Sequence, residues 1–132
     1  MSVLIIAEAG VNHNGKLSLA KTLVDKAKEA GANCIKFQTF VSEQIVSQSA
    51  VKADYQKLYT DVEESQLAML QKLELHFSDF IELNDYCKLM NIQFLSTAFD
   101  FHSIEFLKTL GMKLWKIPSG EMFFNCSAVK SA

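Results

Sequence analysis

Side chains that can do chemistry are concentrated at the ends of the short apolar segments of this sequence. Glu8 follows the apolar run that begins at Val3, and a loop rich in asparagine and glycine, which contains Asn12, comes next. Lys36 and Gln38 lie two residues apart in a second apolar segment. Because side chains alternate between the two faces of a strand, Lys36 and Gln38 are expected to share one face. These side chains are therefore the first candidates for a binding or catalytic site.

Two more apolar segments end in polar residues of the same kind. Thr97 follows Ser96 after the third segment, and Lys116 leads into Ser119 and Glu121 in the fourth. A lysine at the end of one strand is most often solvated, but two such lysines beside hydroxyl groups suit a phosphorylated anion. Carboxylates next to that anion are costly unless they contact a polar or cationic partner. The residues therefore predict a small phosphorylated substrate and a polar co-substrate.

Apolar periodicity predicts an alternation of strands and helices around these side chains. Strands are predicted at 3–7, 34–38, 92–96 and 113–117. Helices are predicted at 17–30, 64–73, 78–90 and 103–110, with Ser78 as the N-cap of the third. Residues 39–60 are polar and weakly periodic, which indicates a long loop with about one helical turn.

This order of elements implies a parallel sheet with right-handed crossovers. Two architectures remain open, namely a doubly wound sheet and part of a closed barrel, and periodicity does not separate them. In both architectures ligands bind at the carboxyl edge of the strands, where the loops and the helix N-termini converge. We therefore expect the polar residues at the four strand ends to lie near one another.

Composition limits the classes of protein that this chain can represent. Its 132 residues suffice for one domain with a core, and 49% hydrophobic with 21% charged residues is typical of a globular protein. The net charge of −2 argues against nucleic acid or an anionic membrane as a partner. No apolar run approaches the roughly 20 residues of a membrane span. No basic leader precedes the first apolar run, so no signal peptide is expected.

The cysteines show no pattern typical of a disulfide framework or a metal site. Cys34, Cys87 and Cys126 are odd in number and far apart. They are expected to be buried small hydrophobes, and a reducing cytoplasm suits them.

Four motifs in order resemble the N-terminal barrel of the sialic acid synthase family, which includes the N-acetylneuraminate, legionaminate and pseudaminate synthases. The motifs are IAEAGVNHNG at 6–15, KFQTF at 36–40, FLSTAFD at 94–100 and WKIPSGE at 115–121. The stretches KADYQ at 52–56, ESQ at 64–66 and KLE at 72–74 resemble the neuraminate and legionaminate branch. The resemblance implies the N-terminal half of a (β/α)8 TIM barrel, truncated after about four βα units. Residues 1–121 would form this partial barrel, and 122–132 would be a divergent tail.

The resemblance also implies a reaction. Enzymes of this family condense phosphoenolpyruvate with an N-acyl hexosamine such as N-acetylmannosamine, and release a nonulosonic acid and phosphate. By motif, the positions that bind phosphoenolpyruvate are Lys36, Thr97, Lys116 and Ser119. Gln38 and Asn12 match sugar-binding positions, and Glu8 and Glu121 match positions at the reacting centre.

A divalent metal, Mn²⁺ or Mg²⁺, is implied for the complete enzyme, but its ligands are not expected in this chain. None of His13, His76 and His102 matches the metal-binding histidines of the family, and none has a second ligand at metal spacing. All three are expected at the surface. The resemblance further implies a cytoplasmic homodimer for the complete enzyme, with small-molecule substrates and no membrane or nucleic-acid partner.

Two alternatives remain beside the synthase hypothesis. The chain could be a non-catalytic half barrel that associates with a full-length synthase, or part of a related synthase for another polysaccharide sugar. The chain alone is expected to lack synthase activity.

Overall fold

A computed structural model describes residues 2–46 and 66–119 of the chain. These ranges contain a three-stranded sheet and five helices. In chain order the elements are β1 (Ile6–Gly10), α1 (Leu17–Glu29), β2 (Cys34–Thr39), α2 (Ser42–Val46), α3 (Gln66–Leu73), α4 (Phe77–Leu89), β3 (Gln93–Ala98) and α5 (Phe101–Thr109). The alternation of strands and helices predicted from the sequence is therefore confirmed for three units.

The sheet is parallel, and its strands lie in the order β1-β2-β3. Glu8 is opposite Lys36, and Gln38 is opposite Thr97. The register of β1 shifts between Glu8 and Gly10, so this strand carries a bulge at its carboxyl end. Because paired residues of neighbouring strands point to the same side, Glu8, Lys36, Gln38 and Thr97 share one face of the sheet.

The opposite face of the sheet packs against the helices and forms the core. Phe37 of β2 and Phe94 of β3 stack with their ring centroids 6.0 Å apart, and Phe80 of α4 meets Phe94 edge-on at 6.3 Å. The rings of Phe37 and Phe80 are fully buried. Burial of each large aromatic or aliphatic side chain contributes about 1.5–3 kcal/mol, so this helix-facing layer stabilises the described part.

Cysteine burial agrees with the sequence-based prediction where the structure describes it. Cys34 and Cys87 are buried free thiols, and burial raises the pKa of Cys87 to about 12. Both therefore behave as small hydrophobes at neutral pH. Cys126 lies outside the described residues.

The first strand begins later than the apolar run predicted. The run 3–7 was expected to be the strand, but β1 is Ile6–Gly10, and Val3 is 80% exposed. The ladder with β2 starts where Ile6 meets Cys34, so the residues before Ile6 have no paired strand among the described residues. As a consequence Glu8 lies inside the strand rather than after it.

The prediction of a fourth strand at 113–117 is wrong. These residues are described and form no strand, and Leu114 remains 37% exposed. A parallel strand is stabilised by backbone hydrogen bonds to a neighbour and by burial on both faces. The segment has neither ladder pairing nor full burial in the described part, so its apolar composition alone does not make it a strand.

Helix starts differ from the predicted ones because the capping residues were misplaced. The third predicted helix was expected to start at Ser78, but α4 starts at Phe77 after His76, which makes no side-chain cap hydrogen bond. The helix expected at 103–110 starts at Phe101, because Asp100 is the N-cap and accepts a hydrogen bond from the Ser103 N–H. The single helical turn expected within 39–60 corresponds to α2, and residues 47–60 lie outside the described part.

Candidate functional site

An ion pair between neighbouring strands forms the centre of the candidate site. The Nζ atom of Lys36 on β2 lies 2.6 Å from Oε2 of Glu8 on β1. The Lys36 side chain is only 13% exposed, whereas that of Glu8 is 55% exposed. A lysine that is largely withdrawn from water needs a compensating anion, and the carboxylate of Glu8 supplies it. The two residues that were predicted from separate strand ends therefore contact each other directly.

Gln38 completes this cluster on the same face. The Nε2 atom of Gln38 and the Oε1 atom of Glu8 lie 3.5 Å and 3.4 Å from the point where a Cβ of Gly10 would stand. Gly10 has φ +54 and no side chain, so it leaves the space between the carboxylate and the amide open. The Gln38 amide can donate to a polar substrate group, and the Glu8 carboxylate can accept from one.

Thr97 places an unsatisfied hydroxyl on the same face. Its side chain is opposite Gln38 and 2% exposed, and its Oγ1 atom has no hydrogen-bond partner among the described residues. Leaving a buried hydroxyl unpaired costs about 1–3 kcal/mol, so native proteins usually give such a group a hydrogen-bond partner. A ligand oxygen bound beside Lys36 and Gln38 would give this hydroxyl a partner.

Two carboxylates that the sequence reasoning did not select hold the loop that follows Gln38. Asp100 accepts hydrogen bonds from the Val41 N–H at 2.8 Å and from the N–H and hydroxyl of Ser103, each at 2.8 Å. Glu74 accepts from the Ser42 N–H at 2.9 Å and from the Ser42 hydroxyl. Val41 and Ser42 are therefore fixed by carboxylates from two different loops.

Two further hydrogen bonds join the carboxyl ends of β2 and β3. The Phe99 N–H donates to the Thr39 carbonyl at 3.1 Å, and the hydroxyls of Thr39 and Ser96 lie 2.7 Å apart. These contacts are made by residues close to Gln38 and Thr97 in the chain, so they fix the positions of these two side chains relative to each other. The spacing of Asp100 and Ser103 around the start of α5 is typical of an N-cap, and it is the signal that could have identified Asp100.

His13 lies in the loop after β1 and is fully buried, so the expectation of a surface position is wrong. Its Nδ1 atom accepts a hydrogen bond from the Gly15 N–H at 3.0 Å, and its ring centroid is 6.1 Å from that of Phe37. Burial lowers the pKa of His13 to about 4, because the charged form loses its hydration. Its Nε2 atom has no partner in the described part of the chain. The other two histidines, His76 and His102, are exposed as expected.

The remaining predicted site residues are not gathered into the cluster. Asn12 is exposed in the loop after β1, and its N–H donates to the Ala9 carbonyl at 3.1 Å. Lys116 is exposed, and its amine donates to the adjacent Ile117 carbonyl at 3.0 Å. Ser119 is exposed as well. Glu121 lies outside the described residues.

The described residues provide no set of metal ligands. No group of three or more His, Cys, Asp or Glu side chains within 2–46 and 66–119 could hold a metal ion. Within the same ranges no helix is both long and apolar enough to cross a membrane.

The strand order and the parallel pairing define a class of fold, namely a parallel α/β sheet covered by helices. A dinucleotide-binding half sheet has the same order of its first strands, so the choice of architecture depends on likeness to known proteins. The N-acetylneuraminic acid (sialic acid) synthetase of Leptospira borgpetersenii, solved with citrate, superposes with a TM-score of 0.76 and 31% identity. The match covers 98% of this chain and 40% of the synthetase chain. The described residues therefore have the fold of part of a TIM barrel.

The particular family follows from the sequence comparisons. The NeuB family matches residues 23–129, and the chain belongs to this family. It is 53% identical over 119 residues to the N,N'-diacetyllegionaminic acid synthase of Campylobacter jejuni, a match that covers 90% of this chain and 36% of that synthase. The synthase of the same name from Legionella pneumophila is 50% identical over 122 residues, which cover 92% of this chain and 34% of that protein. The chain thus spans about a third of the length of these relatives.

Proposed function

We propose that this chain is the phosphoenolpyruvate-binding part of a nonulosonic acid synthase. The complete enzyme would condense phosphoenolpyruvate with an N-acyl hexosamine of the N-acetylmannosamine type and release phosphate. The observation that carries the proposal is the cluster on one sheet face. There Lys36, with a side chain only 13% exposed, pairs with Glu8, and Thr97, which is opposite Gln38, carries an unsatisfied hydroxyl. The names of the synthases that the chain resembles support the same reaction.

Each side chain has a chemical part in this proposal. Lys36 supplies a positive charge for the phosphate or carboxylate of phosphoenolpyruvate, and the Thr97 hydroxyl donates a hydrogen bond to the same anion. Lys116 and Ser119 would join this binding set. Gln38 and Asn12 would bind the sugar through amide groups, which match hydroxyl and N-acyl oxygens.

Glu8 and Glu121 are proposed to act at the reacting centre. The bond forms between the enol carbon of phosphoenolpyruvate and the aldehyde carbon of the open-chain sugar. Water then adds to the former enol C2, and the resulting tetrahedral intermediate expels inorganic phosphate. A carboxylate such as Glu8 can stabilise positive charge or accept a proton during these steps.

A divalent metal is proposed for the complete enzyme, where it would polarise the sugar aldehyde. The described residues do not supply a ligand set for it, so the metal would be bound by residues elsewhere in a complete synthase. A homodimeric, cytoplasmic enzyme is proposed for the same complete protein. The spore coat polysaccharide biosynthesis protein SpsE of Bacillus subtilis is 36% identical over 120 residues, so a synthase for another polysaccharide sugar is the second candidate.

Replacing Lys36 by methionine should weaken phosphoenolpyruvate binding to the purified chain about thirtyfold. Methionine keeps most of the apolar stem but removes a charge-assisted hydrogen bond, which is worth about 2 kcal/mol. Isothermal titration calorimetry measures the dissociation constant directly. Lys26→Met is the matched control, because Lys26 lies on α1 with a 68% exposed side chain. Equal affinities for Lys36→Met and the wild-type chain would contradict the proposed role of Lys36.

A further inference from the structure

The candidate site contains an anion of the protein itself. Glu8 Oε2 lies 2.6 Å from Lys36 Nζ, which is within the range of a charge-assisted hydrogen bond. The lysine that is proposed to bind the substrate anion is therefore neutralised in the described structure. Any ligand phosphate or carboxylate that binds Lys36 must compete with the carboxylate of Glu8.

The two partners of the ion pair differ in their freedom to move. Lys36 is 13% exposed and lies inside β2, whereas Glu8 is 55% exposed and lies beside the bulge of β1. The lysine is thus held in place, and the carboxylate can turn towards water at little cost in desolvation. Gly10 leaves space next to Glu8 Oε1, since a Cβ built there would lie 3.4 Å from that oxygen.

We propose that Glu8 is a displaceable counter-ion, which neutralises Lys36 in the empty site and swings away when a phosphorylated anion binds. This inference rests on the proposed function, because it assigns a second role to a residue of the same site. In the empty protein Glu8 prevents the burial of an unpaired ammonium group. In the bound protein the anion takes over Lys36, and the released carboxylate becomes free to act on the co-substrate beside Gln38.

This role has a consequence opposite to that of an ordinary binding residue. A carboxylate that only oriented Lys36 would strengthen anion binding, and its removal would weaken it. A displaceable counter-ion competes with the ligand and repels it, so its neutralisation strengthens binding. Because Glu8 is more than half exposed, water screens its charge, and the expected gain is about fivefold.

The test compares the wild-type chain with Glu8→Gln, which keeps the shape of the side chain and removes its charge. Dissociation constants for phosphoenolpyruvate and for inorganic phosphate are measured by calorimetry at constant ionic strength. The matched control is Glu82→Gln, since Glu82 pairs with Lys21 at 2.5 Å on the surface between α1 and α4. This control removes one negative charge at a distance from the site and so measures the effect of net charge alone.

The expected result is about fivefold tighter binding of both anions by Glu8→Gln and unchanged binding by Glu82→Gln. Equal or weaker binding by Glu8→Gln, with wild-type binding intact, would overturn the counter-ion role and leave the proposed function standing. Absence of phosphoenolpyruvate binding by both the wild-type chain and Glu8→Gln would overturn the counter-ion role and the proposed site together. Circular dichroism and thermal unfolding establish that each variant keeps its fold.

Discussion

Gly15→Ala is expected to lower the free energy of unfolding of the chain by about 3 kcal/mol, through strain and a steric clash together. Gly15 has φ +70, a conformation that residues with a side chain rarely adopt. A Cβ at this position would lie 2.5 Å from the carbonyl oxygen of Lys72 and 3.3 Å from that of Glu74. Both are backbone atoms, so neither can move away without shifting the last turn of α3 or the residue that follows it.

Gly111→Ala provides a matched control for this prediction. Gly111 has the same φ of +70, but a Cβ built there meets nothing within 4 Å. Gly111→Ala should lower the free energy of unfolding by about 1 kcal/mol, which is the cost of the left-handed conformation alone. Urea unfolding of the two variants separates the conformational strain from the close approach. Equal losses in both variants would show that the end of α3 is not packed against Gly15.

This contact has a consequence for the site. Gly15 packs against the end of α3 and Glu74, and Glu74 holds Ser42, the first residue of α2. The loop after β1 and the loop after β2 are therefore linked through the end of α3. Gly15→Ala should consequently disturb the surroundings of Gln38, although Gly15 itself is not a member of the cluster.

His13 should make the stability of the chain depend on pH between about 4 and 6.5. The pKa of His13 is lowered from 6.5 to about 4 by burial, so between these values the unfolded chain binds a proton that the folded chain does not. The contribution of neutral His13 to the free energy of unfolding is then fully present above pH 6.5 and decreases as the pH falls towards 4. Below pH 4 this group changes the free energy of unfolding no further. The loss between pH 7 and pH 4 should be about 3 kcal/mol.

His13→Asn tests this dependence, because asparagine retains an acceptor for the Gly15 N–H and does not titrate in this range. The variant should be less stable than the wild-type chain at pH 7, and this difference should shrink towards pH 4. Carboxylates titrate in both proteins, so the difference between the two curves isolates His13. His102→Asn is the matched control, since it replaces an exposed histidine in the same way. Parallel curves for His13→Asn and the wild-type chain would refute a buried, neutral His13.

Period-two alternation was sufficient to predict that Lys36 and Gln38 share a face. It was not sufficient to predict the contact of Lys36 with Glu8, because that contact depends on the register in which Glu8 is opposite Lys36. The register is fixed by the pairing of neighbouring strands and by the packing of the helix-facing side of the sheet. Neither can be read from the sequence of one strand alone. The same reason explains why the apolar segment at 113–117 was assigned to a strand that the structure does not contain.

Burial of polar groups was the second property that the sequence did not reveal. His13 is surrounded by loop residues in the sequence, yet it packs beside Phe37, which is far away along the chain. Asp100 belongs to the motif at 94–100, but the hydrogen bond that it accepts from the Val41 N–H connects the loops after β2 and β3. Long-range contacts of this kind depend on the packed fold and leave only weak local signals, such as the N-cap spacing of Asp100 and Ser103.

The most direct test of the proposed synthase function is a chimera. Residues 1–121 of this chain would replace the segment that they match in the Campylobacter jejuni synthase, and phosphate release would be measured with phosphoenolpyruvate, an N-acyl hexosamine and Mn²⁺. We predict phosphate release that requires both substrates, and its loss in the same chimera with Lys36→Met. A chimera that folds as the parent synthase does, yet releases no phosphate, would contradict the assignment of this chain to the phosphoenolpyruvate-binding half of such an enzyme.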